Sequence, residues 1–166
     1  MDEKLFLCGF MGCGKSTVGK AAAQKLNAEL IDLDDYIVRT NGMSIPELFS
    51  AYGEAGFRDR ETEAVRTVSA QQGNRIIALG GGAVLRVENV EMMKAAGTLI
   101  FLDVPFAVCF QRISGDKNRP LAADSEESLK ARYETRRAVY TSCADRVISL
   151  TGEETVQEIA ERILTE

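Results

Sequence analysis

Histidine is absent from the 166-residue sequence, which removes every mechanism that needs an imidazole as base, nucleophile partner or metal ligand. Ser-His-Asp and Cys-His hydrolases, His-ligated zinc enzymes and histidine proton relays are excluded together. Tryptophan is absent as well. Basic residues are in the minority, 20 Lys and Arg against 25 Asp and Glu for a net charge of -5, which argues against a sequence-independent nucleic-acid binder. The four cysteines, Cys8, Cys13, Cys109 and Cys143, contain no Cys-x-x-Cys pair. They read as reduced thiols of a cytoplasmic protein, not as a disulfide framework. Long apolar runs are missing too: Thr98 to Phe110 is interrupted by Asp103 and Pro105, and Met1-Asp2-Glu3-Lys4 has the wrong flanks for a signal peptide. The expectation is one globular domain over 1–166, cytoplasmic, with no membrane or nucleic-acid partner, and monomeric because no feature marks an interface.

What the chain does have is a regular alternation of short apolar runs and longer amphipathic stretches. Leu5 to Cys8, Ala28 to Ile31, Ile76 to Leu79, Leu99 to Leu102 and Val147 to Leu150 read as strands. Several are continuously apolar, as parallel strands buried on both faces should be. Helical patterns run over Lys15 to Leu26, Ser44 to Tyr52, Glu54 to Gln72, Val87 to Ala96, Pro105 to Ile113, Ser125 to Tyr140 and Glu153 to Leu164. Ser44-x-x-Glu47 and Thr151-x-x-Glu154 have capping-box spacing. The alternation predicts a five-stranded open parallel sheet in a three-layer α/β arrangement, helices on both faces, with ligands bound beyond the carboxyl ends of the strands. The polar stretch from Ser114 to about Asp124, with Gly115 and Pro120, reads as a mobile lid loop.

The chemistry-bearing motifs follow strands directly. Gly9-Phe10-Met11-Gly12-Cys13-Gly14-Lys15-Ser16, followed by Thr17, satisfies G-x-x-x-x-G-K-[ST] between a strand and a helix. In such a P-loop the backbone N–H groups and the helix N-terminus cradle phosphates, the lysine reaches the β- and γ-phosphates and the hydroxyl of Ser16 serves magnesium. Asp32 stands 18 residues beyond Gly14, near the spacing of a ribose-binding acid, but the glycine order is wrong for a dinucleotide and Lys15-Ser16 suits a triphosphate. The second strand ends in Asp32-x-Asp34-Asp35. Asp32 suits the waters of a magnesium ion, Asp34 can take a proton from an acceptor hydroxyl, and Asp35 reads as a helix N-cap. Asp103, at another strand end, is an alternative magnesium carboxylate. Arg58 and Glu61 can pair on one helix face. Gly80-Gly81-Gly82, ending the third strand, lets backbone approach a ligand, and a sharp turn explains it nearly as well. Among Arg112, Lys117, Arg119, Arg132, Arg136 and Arg137, spacing alone does not select those that bind phosphate or carboxylate.

In their order along nearly the whole chain these motifs resemble shikimate kinase: Gly9 to Thr17, Asp32-x-Asp34, Gly56-Phe57-Arg58-Asp59-Arg60-Glu61, Gly80-Gly81-Gly82, Arg119-Pro120-Leu121, and Arg136 with Tyr140. The resemblance implies a P-loop NTPase fold and transfer of the γ-phosphoryl group of ATP to the 3-hydroxyl of shikimate, giving shikimate 3-phosphate for aromatic amino-acid biosynthesis, with Mg2+. It implies that Gly12 to Thr17, Arg112 and Arg119 hold ATP, with Arg112 stacked on adenine and Arg119 brought in by the lid. Ser16 would bind the magnesium ion and Asp32 support its waters. Asp34, Arg58, Gly80, Gly81, Gly82 and Arg136 would hold shikimate, the two arginines clamping its carboxylate, while Lys15, Asp34 and Arg119 act in catalysis. The family usually continues as Arg-x-Pro-Leu-Tyr; here Arg136-Arg137-Ala138-Val139-Tyr140 lacks the proline, and Arg137 remains an alternative clamp. Cys13 stands where a small Ala or Ser is usual, and the adjoining helix N-terminus and Lys15 predict an alkylation-sensitive thiol that ATP shields. Three rivals are a kinase of another polyol acid such as gluconate, a GTPase, and a non-catalytic nucleotide-binding module. The GTPase lacks its Asn-Lys-x-Asp motif here, and the module would be expected to lack Asp34 or a clamp arginine.

Overall fold

A computed structural model describes residues 2–115 and 125–166. The five apolar runs become β1 (Lys4–Cys8), β2 (Glu29–Asp32), β3 (Arg75–Ala78), β4 (Thr98–Asp103) and β5 (Arg146–Ser149). They lie side by side in the order β2-β3-β1-β4-β5, every neighbouring pair parallel. Leu5 and Leu7 of the central β1 face one apolar cluster with Val18, Ala22, Ile100, Ile148 and Ile163. Phe6 and Cys8, one residue out of phase, face the other with Leu33, Val65, Ile77, Met93 and Phe101. The alternation of the pleat therefore feeds two cores, one on each side of the sheet.

The covering helices are α1 (Lys15–Leu26), α2 (Leu33–Asn41), α3 (Ile45–Ala70), α4 (Val87–Ala96), α5 (Phe106–Ser114), α6 (Glu126–Cys143) and α7 (Val156–Thr165). A 3-10 turn, Ala83–Leu85, follows β3. The two helices expected at 44–52 and 54–72 meet within α3 at a kink on Gly53, whose φ of 70° and ψ of -178° only glycine adopts easily. Among the described residues no helix is long and apolar enough to cross a membrane.

Three local expectations are corrected. A helix, α2, occupies 33–41 where none was expected, and its N-cap is Asp32, not Asp35: the Asp32 carboxylate accepts the Asp35 N–H at 3.2 Å. The capping box of α7 is Thr155 with Glu158, one turn later than expected, while Glu154 closes the preceding turn by accepting the N–H groups of Thr151 and Gly152. At α3 the box is half formed. Ser44 accepts the Glu47 N–H, but the Glu47 carboxylate binds the Ser44 hydroxyl, not its N–H. Beyond Gly115 the expected lid lies outside the described residues, and Arg119 with it.

Candidate active site

The carboxyl ends of β1, β2 and β3 open into a cleft of about 910 Å3. On its β1 side the chain turns through Gly12 and Gly14, with φ of 81° and 92°. A side chain at Gly12 would also strike the Cys109 carbonyl, 2.8 Å from the position of its Cβ. Gly14 caps α1 without any side-chain acceptor, so the first N–H groups of the helix and its positive end are left for an anion. Lys15 arches back over the loop, its Nζ donating to the Gly9 carbonyl at 2.7 Å.

At the β2 end one carboxylate serves two helices. Asp32 Oδ2 accepts the Ser16 hydroxyl of α1 at 2.8 Å, while its Oδ1 caps α2. Asp34, in the first turn of α2, is turned into the cleft. Burial pushes its carboxyl above the ordinary range; the charges of Asp32 and Asp35 add to this, and Lys15 and Arg58 oppose it. Across from it Arg58 of α3, in the half of the helix beyond the Gly53 kink, lines the cleft. Arg58 Nη1 binds Glu61 Oε1 at 2.7 Å, and Glu61 is 1% exposed. Burial pushes the Glu61 carboxyl up as well, and the hydrogen bond and charge of Arg58 hold it down.

Arg136 of α6 lines the cleft. Arg137, one residue on, turns away and grips Asp103 through two hydrogen bonds of 3.0 and 2.8 Å. The same contact engages Asp103, the alternative magnesium carboxylate. Beside the polar groups stands an apolar wall of Ile45, Leu79, Phe49 and Phe57, the last two stacked with centroids 4.5 Å apart.

The cleft thus has a phosphate cradle at one end and acids and arginines at the other, and the shikimate kinase family model matches residues 11–166 of the chain. The chain belongs to the shikimate kinase family. It is therefore an ATP-dependent kinase whose acceptor is a hydroxyl of shikimate. The shikimate kinase of Burkholderia lata is 41% identical over 162 residues, covering 96% of this chain and 87% of that one. That of Aquifex aeolicus is 37% identical over 161 residues, covering 97% and 94%. Among solved structures, the shikimate kinase from Acinetobacter baumannii in complex with shikimate superposes with a TM-score of 0.88 at 33% identity, covering 99% of this chain and 92% of that one. The shikimate kinase from Bacteroides thetaiotaomicron gives 0.86 at 32%, covering 97% and 96%.

The cleft gathers Gly12, Gly14 to Thr17, Asp32, Asp34, Arg58, Gly80 to Gly82, Arg112 and Arg136. Arg112, expected against adenine, donates to the Gly12 carbonyl at 3.0 Å. Cys13 lies in the P-loop with its side chain turned inward. The residue is 3% exposed in the apolar cluster under the loop, with Lys15 Nζ 3.8 Å from its Sγ, and its N–H is turned onto the Phe10 carbonyl at 3.1 Å. That burial limits a reagent's access to the thiol, while the lysine of the expectation stands beside it. Sequence reasoning missed Phe49 as part of the cleft wall, and it gave no site role to two residues it did name, Arg132 and Tyr140. The signal for the last two was present, since residues 132, 136 and 140 follow one another at helical spacing on α6.

Proposed function

We propose that this kinase transfers the γ-phosphoryl group of ATP to the 3-hydroxyl of shikimate, with each end of the cleft built for one anion. The observation that carries this reading is the placement of Asp34 in one cleft with Lys15 and the free end of α1 as well as with Arg58 and Arg136. The ATP phosphates lie on Gly12 to Thr17, Arg58 and Arg136 take the shikimate carboxylate, and Asp34 stands where the acceptor hydroxyl must be. The hydroxyl oxygen forms a bond to the γ-phosphorus, the bond from that phosphorus to the β–γ bridging oxygen breaks, and the hydroxyl proton passes to Asp34. ADP leaves with the electron pair. Lys15 offsets charge on the transferring group, and Arg119, which lies outside the described residues, adds a second cation. Arg112 swings from the P-loop carbonyl to the adenine face, and Gly80 to Gly82 line the substrate pocket.

Magnesium fits the donors at the β1–β2 corner. The Ser16 hydroxyl and the Asp32 carboxylate, 2.8 Å apart, are hard oxygen groups. Among the described residues there is no cluster of three or more acidic, sulfur or imidazole ligands. That suits an ion which takes phosphate oxygens and keeps several waters. Ser16 would bind it directly, Asp32 would hold its waters, and when bound it supplies neutralisation of the β- and γ-phosphate charge. The chain acts as one cytoplasmic kinase domain, as a monomer whose partners are these two substrates. Phosphoryl transfer assayed with shikimate, gluconate or no acceptor tests the reading. Turnover requiring shikimate is the expected result, and turnover on gluconate alone or equal ATP hydrolysis without acceptor overturns it.

A further inference from the structure

Tyr140 has no part in the reading above, yet it is among the largest fully buried side chains and its end reaches the cleft wall. It stands four residues after Arg136 on α6, so the two project from the same face of the helix one turn apart. Its ring packs on Phe101 of β4 with centroids 5.1 Å apart, which fixes the position of the hydroxyl. That hydroxyl donates a 2.7 Å hydrogen bond to the carbonyl of Gly81, in the middle of the glycine triplet.

The neighbouring carbonyls are held differently. Those of Gly80 and Gly82 accept the N–H groups of Ala83 and Leu85 in the turn that follows, whereas the Gly81 carbonyl accepts from a helix on the other wall of the cleft. A Cβ on Gly81 would stand 3.6 Å from the Tyr140 hydroxyl and 3.6 Å from Arg136 Nη1. Tyrosine, arginine and peptide thus meet at one point. Burial raises the pKa of the Tyr140 phenol, opposed by the charge of Arg136, so the group stays protonated and remains a donor at physiological pH.

The geometry assigns Tyr140 as a positioning residue: its hydroxyl locks the Gly81–Gly82 peptide to α6, so that the triplet and Arg136 present a single rigid site to the acceptor carboxylate. This rests on the reading of Arg136 as a carboxylate clamp. Tyrosine is required here for its oxygen; phenylalanine would fill the same space in the core but leave the Gly81 carbonyl without its donor.

Tyr140→Phe, Arg136→Lys and the double variant, compared by steady-state kinetics and thermal melting, test it. In Tyr140→Phe the KM for shikimate is expected to rise roughly five- to tenfold, the loss of one hydrogen bond. That rise should be several times larger than the fall in kcat and larger than any change in the KM for ATP. The double variant should lose less than the product of the two single losses, since both loosen one junction. A lowered Tm with the KM for shikimate within about twofold of the parent would make Tyr140 a core residue only and overturn the assignment, as would fully multiplicative losses. If Arg136→Lys leaves the KM for shikimate unchanged, the clamp reading fails and the assignment falls with it. If Arg136→Lys raises it and Tyr140→Phe does not, only the assignment fails.

Discussion

The Arg58 guanidinium fills the space that a side chain on Gly82 would need: a Cβ there would lie 2.4 Å from Nη2 and 2.5 Å from Nη1. At Gly80 the same space is taken by Asp34 Oδ1, 2.6 Å from the position of a Cβ, whereas at Gly81 nothing comes closer than 3.6 Å. The outer two glycines of the triplet are therefore specified by the acid and the arginine that pack on them. The triplet is a template for the substrate side of the cleft as well as a turn.

Alanine at each position separates these roles. The atoms displaced by Gly80→Ala and Gly82→Ala are the ends of flexible side chains, so both proteins should fold with a small loss of Tm. Misplacing Asp34 or Arg58 by about 1 Å should still cost on the order of 10²-fold in kcat/KM for shikimate. Gly80→Ala should act mainly on kcat and Gly82→Ala mainly on the KM for shikimate. Gly81→Ala, which meets only ordinary contacts, should stay far closer to the parent. Steady-state kinetics with thermal melting checks the ranking, and an equal loss at all three positions contradicts the template.

Asp34 predicts a pH dependence with a definite sign. Its folded-state carboxyl lies above the ordinary value because of burial, with Asp32 and Asp35 adding. The base form is therefore populated only at higher pH than for a free aspartate, and the acid limb of kcat/KM for shikimate should be displaced upward accordingly. Between the unfolded and folded values the folded state binds more protons, so the Asp34 contribution to stability falls as pH rises through that interval. Asp34→Asn should thus cut turnover by about 10²- to 10⁴-fold. It should keep ADP affinity nearly intact and melt at a higher temperature than the parent at neutral pH, the gain shrinking towards pH 4. Melting curves across pH and a pH–rate profile decide this; a limb at the position of an ordinary aspartate refutes it.

Arg58→Ala should damage affinity and stability together. Glu61 is 1% exposed and Arg58 is its 2.7 Å partner. Removing one member of a buried pair typically costs about 3–5 kcal/mol. The orphaned Glu61 carboxyl, already pushed up by burial, would hold its proton still more tightly. The loss of stability should therefore grow as pH rises. Arg58→Ala with Glu61→Gln should recover much of the Tm without recovering the KM for shikimate, which thermal melting and kinetics of the two variants would establish.

The strands, the P-loop and the triplet were legible because each is a local pattern: a buried apolar run, or glycines required at a turn. Local spacing did not reveal α2, because its first residue follows β2 directly, leaving no turn between strand and helix to mark its start. The choice between Arg136 and Arg137 depends on Asp103, 34 residues from Arg137 in sequence and brought beside it only by the fold. The burial of Cys13 was not legible for a related reason: its neighbours in sequence, Gly14 and Lys15, mark a loop, while in space its side chain joins an apolar cluster with Phe10, Cys109 and Ile113 as well as standing 3.8 Å from Lys15 Nζ.

The thiols give the last prediction. Cys8, Cys13 and Cys109 are buried, and Cys143 is the partly exposed one near the end of α6. Burial also raises the thiol of Cys109 to about 12 and that of Cys143 above its ordinary value, so rapid thiolate chemistry is expected at neither. Access then decides. Iodoacetamide should label Cys143 first, slowly and at a rate indifferent to MgATP. Cys13 should react only as fast as the loop opens, well behind Cys143, as peptide mapping by mass spectrometry over a time course would show. Cys13 labelled ahead of Cys143, and protected by MgATP, would mean that the P-loop spends much of its time with that thiol turned out of the core.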